Sequence, residues 1–138
     1  HDGRVDMWQR YLMYTPSVSI IDFGATAAGT GSWQEGGDGR IQVYSCHFMT
    51  PITETRTIDR WLHVRNFESE DPSVGEQISD QFRIAFAEDK EILQAVQEEE
   101  TRHEGRFKIG LDLDESAGLF RLKINRILRG ETLAQAAE

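Results

Sequence analysis

One periodic segment in the second half of the chain constrains its fold more than any other feature. In residues 77–102 apolar side chains recur every three to four positions, which is the period of a helix with one apolar face. At about 100° per residue, the apolar side of the helical wheel contains Ile78, Phe82, Ala85, Phe86, Ile92, Leu93 and Val96. The segment therefore predicts a long amphipathic helix that packs its apolar face against a core.

Asp89 interrupts this apolar face. It lies within about 60° of Phe82 and Ile92 on the wheel, so its carboxylate is expected to face the core. An ionised carboxylate in a low-dielectric interior takes up a proton or finds a cation, several donors or a metal. Periodicity leaves open an ion pair with Arg56 or Arg60 of the preceding segment, which is the commoner outcome, and a metal or catalytic role.

The first half of the chain predicts β-structure. Residues 17–23 are rich in β-branched and aromatic residues, and the glycine-dense residues 24–39 that follow predict a long loop. Residues 40–50 alternate in character, and residues 53–67 are threonine-rich beyond Pro51, which is expected to end the first of these strands. The two segments predict an antiparallel hairpin, followed by an acidic loop over residues 68–76 and the long helix. A last helix is predicted to begin after Asp114 as N-cap and to end at Gly130.

Composition excludes several classes of protein. The 138 residues suit one domain, and a net charge of -9 disfavours a nucleic-acid ligand. A single cysteine, Cys46, rules out a disulfide framework within the chain.

No apolar run reaches the roughly 18 residues of a membrane span, and no secretory signal is recognisable, so a cytoplasmic protein is expected. Because the sequence opens at His1 without a methionine, it is interpreted as a piece of a longer protein.

Two histidines are candidates for a site. His47 lies on the same strand face as Ile41, Val43, Ser45 and Met49, and His63 lies on the same face of its predicted strand as Trp61. Each alone is more often a hydrogen-bonded core residue than a ligand. A two-histidine, one-carboxylate iron site from His47, His63 and Asp89 is chemically conceivable, although its spacing is non-local.

Two sequence words resemble a known family. HFMTPITETRTIDRWLHVRNF (residues 47–67) and IAFAEDKEILQAVQ (residues 84–97) resemble the C-terminal catalytic domain of Rieske non-haem iron oxygenases of the vanillate O-demethylase oxygenase type. Residues 17–31 and 111–131 are also similar to that family. The resemblance implies an α+β fold of the helix-grip type (START or Bet v 1-like), in which an antiparallel sheet packs around a long C-terminal helix.

The resemblance also implies a site. The family binds a mononuclear iron(II) through two histidines and one aspartate, and the aspartate of its E-D-K word corresponds to Asp89. His47 occupies a strand position from which members of the family reach the substrate, and Met49 and Phe86 are expected to line that pocket or the adjoining core. The two histidine ligands belong to a motif that the sequence does not contain, so His47 and His63 are not expected to be ligands.

The implied protein is larger than the chain. A Rieske [2Fe–2S] cluster needs two cysteines and two histidines, and only Cys46 is present. Residues 1–138 are therefore expected to be the catalytic domain, truncated at its N-terminus and without the Rieske domain. Alone they are expected to hold no iron tightly and to be inactive.

In the intact protein, the resemblance implies oxidation of a small aromatic substrate by O2, often at a methoxy group. The electrons would come from NAD(P)H through a reductase or ferredoxin, and the oxygenase would be a homotrimer. A different class stays open, because the helix-grip fold also serves non-enzymatic modules that hold a hydrophobic ligand between sheet and helix.

Overall fold

The structure is a computed structural model that describes residues 3–14, 16–30, 39–103, 111 and 114–130. Its elements are four strands, β1 (Val5–Tyr14), β2 (Val18–Ala27), β3 (Ile41–Thr53) and β4 (Arg56–Arg65), followed by two helices, α1 (Pro72–Arg102) and α2 (Glu115–Leu128). The chain divides into two units, His1–Pro72 with the sheet and Ser73–Glu138 with the helices. This content and order confirm the predicted α+β class, in which the long helix follows an antiparallel sheet.

The four strands form one antiparallel sheet in sequence order. The predicted strand at residues 17–23 and the predicted hairpin are both present. β1 was not predicted: in its sequence VDMWQRYLMY one face mixes Asp6 and Arg10 with apolar residues and the other is apolar apart from Gln9, so it shows no clean alternation of apolar and polar residues. β3 and β4 are joined by the tight turn at Glu54 and Thr55, because Thr53 pairs with Arg56.

Pro51 does not end β3, contrary to expectation. It pairs with Thr57, and the ladder continues to Thr53 after a one-residue bulge at Ile52. The pairing of β3 with β2 ends at Phe48 opposite Val18. Pro51 therefore lies where β3 pairs with β4, and its missing N–H removes no hydrogen bond to β2.

The predicted loop over residues 24–39 is wrong at its start, since β2 extends to Ala27. Gly24 lies opposite Trp8 in the β1–β2 register. A Cβ atom at Gly24 would collide with the indole ring of Trp8 and with the carbonyl oxygen of Ile41. The glycine thus serves the close approach of Trp8 rather than a turn. Residues 31–38 of the predicted loop lie outside the described residues.

Both predicted helices are present. α1 begins at Pro72, which shortens the predicted acidic loop, because proline is well suited to the first position of a helix. The guanidinium of Arg65 holds the preceding connection by donating hydrogen bonds to the carbonyl oxygens of Phe67, Glu68 and Asp71. Neither described helix is long and apolar enough to cross a bilayer.

The ends of α2 follow the prediction in part. Asp114 is its N-cap, but the side chain accepts from the N–H of Leu111 rather than capping the helix. Gly130 follows the helix with a φ of 87°, the left-handed conformation that suits glycine, and its N–H donates to the carbonyl of Ile127.

Candidate functional site

The face of the sheet that carries His47 is the one expected from alternation. Ile41, Val43, Ser45, His47 and Met49 share it along β3. The register adds residues of β4: His63 lies opposite Ser45, Trp61 opposite His47, and Asp59 opposite Met49. The predicted pocket residues His47 and Met49 therefore lie on one face, two positions apart.

Four polar side chains on this face form a continuous row of hydrogen bonds, which we call the Ser45 chain: Asp59, His47, Ser45 and His63. Nδ1 of His47 lies 2.7 Å from Oδ2 of Asp59. Nε2 of His47 lies 3.0 Å from Oγ of Ser45, which is 3.1 Å from Nε2 of His63. One serine hydroxyl therefore joins the two histidines.

Burial changes along the Ser45 chain. Ser45 is fully buried, with 0% exposure, whereas the side chain of Asp59 is 42% exposed. The ring of His63 lies against that of Trp61, with centroids 5.0 Å apart. Burial lowers the pKa of His63 below its ordinary value, and a positive charge on His47 lowers it further. The histidines are thus held in a half-buried row whose Asp59 end meets solvent.

A second polar cluster lies on the opposite face of the sheet, and we call it the Asp22 network. Asp22 is only 2% exposed. Its carboxylate accepts hydrogen bonds from Nε1 of Trp8 at 3.1 Å and from Nε2 of Gln42 at 2.6 Å. It also accepts from Arg10 at 3.4 Å, and Gln42 donates to the hydroxyl of Tyr44 at 2.9 Å. The network ties β1, β2 and β3 together around one satisfied carboxylate.

Asp89 and Phe86 lie in α1, three residues apart and so on neighbouring positions of the helix surface. Phe86 is half-buried, and its ring is 5.5 Å from that of Phe82, centroid to centroid. Asp89 is exposed, contrary to the expectation of a buried carboxylate. The reason is not special to Asp89, since α1 has no buried residue along its described length, and Ile92 and Leu93 are exposed beside it.

The described residues do not make an iron site by themselves. No three histidine, cysteine, aspartate or glutamate side chains in residues 3–14, 16–30, 39–103, 111 and 114–130 come together as a metal-binding group. The conceivable triad of His47, His63 and Asp89 takes its residues from both units of the chain and stays a prediction. A carboxylate is a suitable oxygen ligand for iron(II), so the chemistry of Asp89 fits a single ligand position and no more.

Sequence reasoning missed Ser45 and Asp59 as members of a site. Ser45 was placed on the correct face of β3, but its contacts depend on the β3–β4 register, which alternation alone does not supply. Asp59 is one of many acidic residues in an acidic chain, and no local pattern distinguishes it. His103 is exposed, and its Nε2 atom lies 3.5 Å from Oε2 of Glu99 in α1.

Comparison with known families identifies the chain. Residues 1–129 match the family described as the vanillate O-demethylase oxygenase C-terminal domain, which is nearly the whole sequence. The chain belongs to this family, and the resemblance seen in the sequence words is confirmed.

Individual relatives carry related names. The chain is 30% identical over 135 residues to a vanillate O-demethylase oxygenase subunit of a Pseudomonas species, covering 98% of this chain and 41% of that protein. It is 27% identical over 135 residues to the iron-sulfur subunit of a toluene-4-sulfonate monooxygenase system of Comamonas testosteroni, covering 94% and 38%. It is 33% identical over 98 residues to the oxygenase component of a chloroacetanilide N-alkylformylase of Rhizorhabdus wittichii, covering 70% and 27%.

The chain thus spans about two fifths, or less, of the length of these curated relatives. No solved structure shows significant similarity to it.

Proposed function

We propose that this chain is the catalytic-domain part of a Rieske-type oxygenase that oxidises a small aromatic substrate with O2. The observation that carries the proposal is the family match over residues 1–129. The names of the relatives, which include oxygenase subunits of a demethylase and of a sulfonate monooxygenase system, support it. The outcome we propose is hydroxylation or O-demethylation.

The cofactors and partners of the intact protein follow from the same proposal. They are a mononuclear iron(II), a [2Fe–2S] Rieske cluster held by a domain that these residues do not supply, and a reductase or ferredoxin that delivers electrons from NAD(P)H. The relative named as an iron-sulfur subunit of a multi-component system supports this set. We further propose a homotrimeric oxygenase in the cytoplasm.

Within this chain we assign roles residue by residue. Asp89 is the one iron ligand that residues 1–138 contribute, on the strength of its place in the E-D-K word. His47 and Met49 are pocket residues contributed by β3, and Phe86 is one contributed by α1. In the described structure both ring nitrogens of His47 have partners, Asp59 and Ser45. A substrate that hydrogen-bonds to His47 therefore replaces or shares one of them.

The test of this function uses the intact oxygenase with its reductase. Supplied with NAD(P)H and a methoxylated benzoate, it should consume O2 and release formaldehyde together with the phenol in equal amounts. Tight binding of aromatic compounds with no O2 consumption or product from a panel of methoxylated and sulfonated aromatics would contradict the proposal. That result would favour a non-enzymatic module that holds a hydrophobic ligand.

The 138-residue chain alone should behave differently from the intact protein. With a single proposed ligand it should hold no stoichiometric iron(II) under anaerobic conditions, as measured by metal content after gel filtration. One tightly held iron per chain would contradict the proposed division of ligands.

A further inference from the structure

The connection between β4 and α1, residues 66–71, is held by one side chain of β4. Nε of Arg65 donates to the carbonyl oxygen of Phe67 at 3.0 Å. Nη2 of the same guanidinium donates to the carbonyl oxygens of Glu68 and Asp71, each at 2.7 Å. A guanidinium carries its N–H groups in a rigid planar fork, so three carbonyls bound at once are held in fixed relative positions. We call this arrangement the Arg65 clamp.

The backbone of the connection depends on contacts of this kind. Glu68 has a φ of 44°, in the left-handed region that residues other than glycine adopt rarely. Its carbonyl oxygen accepts from the N–H of Asp71 at 3.1 Å as well as from Arg65. Because Glu68 does not favour this conformation by itself, other residues must stabilise it, and the Arg65 clamp supplies one of these contacts.

Asn66 holds the beginning of the connection. Its Oδ1 atom accepts from the N–H of Gln42 at 2.8 Å, and its own N–H donates to the carbonyl oxygen of Gln42 at 3.3 Å. Its Nδ2 atom donates to the carbonyl oxygen of Arg40 at 3.2 Å. The connection is therefore bonded to the start of β3 at its beginning and to Arg65 at its end, just before Pro72.

The start of α1 matters because Asp89 lies far along this helix. An α-helix rises about 1.5 Å per residue, so Asp89 lies about 26 Å along the axis from Pro72. At that distance a tilt of about 5° moves a side chain by about 2 Å. A metal ligand must lie within about 0.2 Å of its proper distance. Because α1 has no buried residue along its described length, burial does little to correct such a tilt.

We propose that Arg65 is a positioning residue of the iron site, which acts on Asp89 through the clamp before the start of α1. The inference rests on the proposed function, because it takes Asp89 as the iron ligand that this chain contributes. It adds that the affinity of the site for iron(II) depends on an arginine of β4 whose guanidinium binds backbone carbonyls.

The test measures the affinity of the intact oxygenase for iron(II). A chelator removes the mononuclear iron under anaerobic conditions, and iron(II) is titrated back into the parent and into Arg65→Gln. Glutamine has one amide in place of the guanidinium and cannot reproduce the three hydrogen bonds. The dissociation constant for iron(II) should rise about tenfold, while the absorption spectrum of the Rieske cluster stays unchanged. Arg65→Lys keeps a donor for these carbonyls and should show a smaller rise.

A second measurement locates the effect in the connection and needs no iron. Amide hydrogen exchange of the 138-residue chain should be faster in Arg65→Gln at residues 67–74 and unchanged in β2 and β3. Arg60→Gln is the matched control, because Arg60 is an exposed arginine of the same strand whose side chain lies on the opposite face of the sheet. This control should change neither the iron affinity nor the exchange.

Several results would overturn the role of Arg65 and leave the proposed function intact. One is an Arg65→Gln protein that binds iron(II) as tightly as the parent, and another is unchanged exchange at the connection. An iron affinity and a Rieske spectrum that decline together, or an equal loss in Arg60→Gln, would show a general loss of structure and also overturn it. A parent oxygenase without mononuclear iron would instead overturn the proposed function, and the role of Arg65 with it.

Discussion

The two faces of the sheet hold polar networks of opposite character. In the Asp22 network, donors from Trp8, Arg10 and Gln42 converge on one carboxylate that can only accept, so every proton has a fixed place. In the Ser45 chain, each member between the ends can both donate and accept. The comparison teaches that a polar network fixes its hydrogen positions where its central group can only accept, and leaves more than one arrangement of hydrogens open where its members both donate and accept.

The largest expected effect on stability comes from removing the carboxylate at the centre of the Asp22 network. Asp22→Ala leaves the indole N–H of Trp8 and the amide of Gln42 without their buried acceptor, and should lower the free energy of unfolding by about 3 kcal/mol. Urea denaturation followed by tryptophan fluorescence measures this loss. Asp6→Ala is the control, because Asp6 accepts from the exposed N–H of Gly29, which water can replace. Equal small losses in both variants would show that the Asp22 network does not fix the sheet.

The next largest effect on stability is expected at Gly24, which lies opposite Trp8 of the Asp22 network. Gly24→Ala places a methyl group against the indole of Trp8 and the carbonyl of Ile41, so the unfolding free energy should fall by about 2 kcal/mol. Gly118→Ala in α2 meets no atom within 4 Å and should instead be neutral or slightly stabilising. The same denaturation experiment, followed by circular dichroism, compares the two. A Gly24→Ala protein as stable as the parent would mean that Trp8 does not pack tightly over β2.

The smallest expected effect is a pH dependence of stability that comes from His63, on the face of the sheet with the Ser45 chain. Folding lowers the pKa of His63 from its ordinary value of 6.5. Below about pH 6.5 the unfolded chain therefore binds a proton at this residue more readily than the folded chain does. The free energy of unfolding should therefore fall as pH decreases below about 6.5, and His63→Gln should lessen this fall. Urea denaturation at about pH 7.5 and pH 5 measures it. His103→Gln, at an exposed position just after the end of α1, is the comparison variant. An equal effect in both variants would contradict the role of burial at His63.

The sequence predicts where the strands and helices lie along the chain better than it predicts which residues pair between strands. Helical periodicity located α1 and α2, alternation located β3, and β-prone composition located β2 and β4. β1 was missed because Asp6 and Arg10 interrupt its alternation. The carboxylate that makes Arg10 acceptable on that face, Asp22, belongs to a different strand. Such long-range pairing is invisible to a local pattern.

The candidate site also depends on strand pairing that the sequence does not predict, through the bulge at Ile52. The turn pairs Thr53 with Arg56, and without the bulge at Ile52 this register would place His47 opposite Leu62 and Ser45 opposite Val64. His63 and Trp61 would then lie on the other face. One extra residue in β3 thus brings Ser45 and His63 together. By contrast, Asp89 and His47 could be proposed from sequence because they lie within the words that resemble the family.

The central claim is that Asp89 is the iron ligand this chain contributes to a Rieske-type oxygenase, and the most direct test is the iron content of the intact protein. Asp89→Ala should lose the mononuclear iron and all product formation while the absorption spectrum of the Rieske cluster stays unchanged. Glu88→Ala, its neighbour on α1, should retain both iron and turnover. An Asp89→Ala protein that kept its full iron content and normal turnover would contradict the claim.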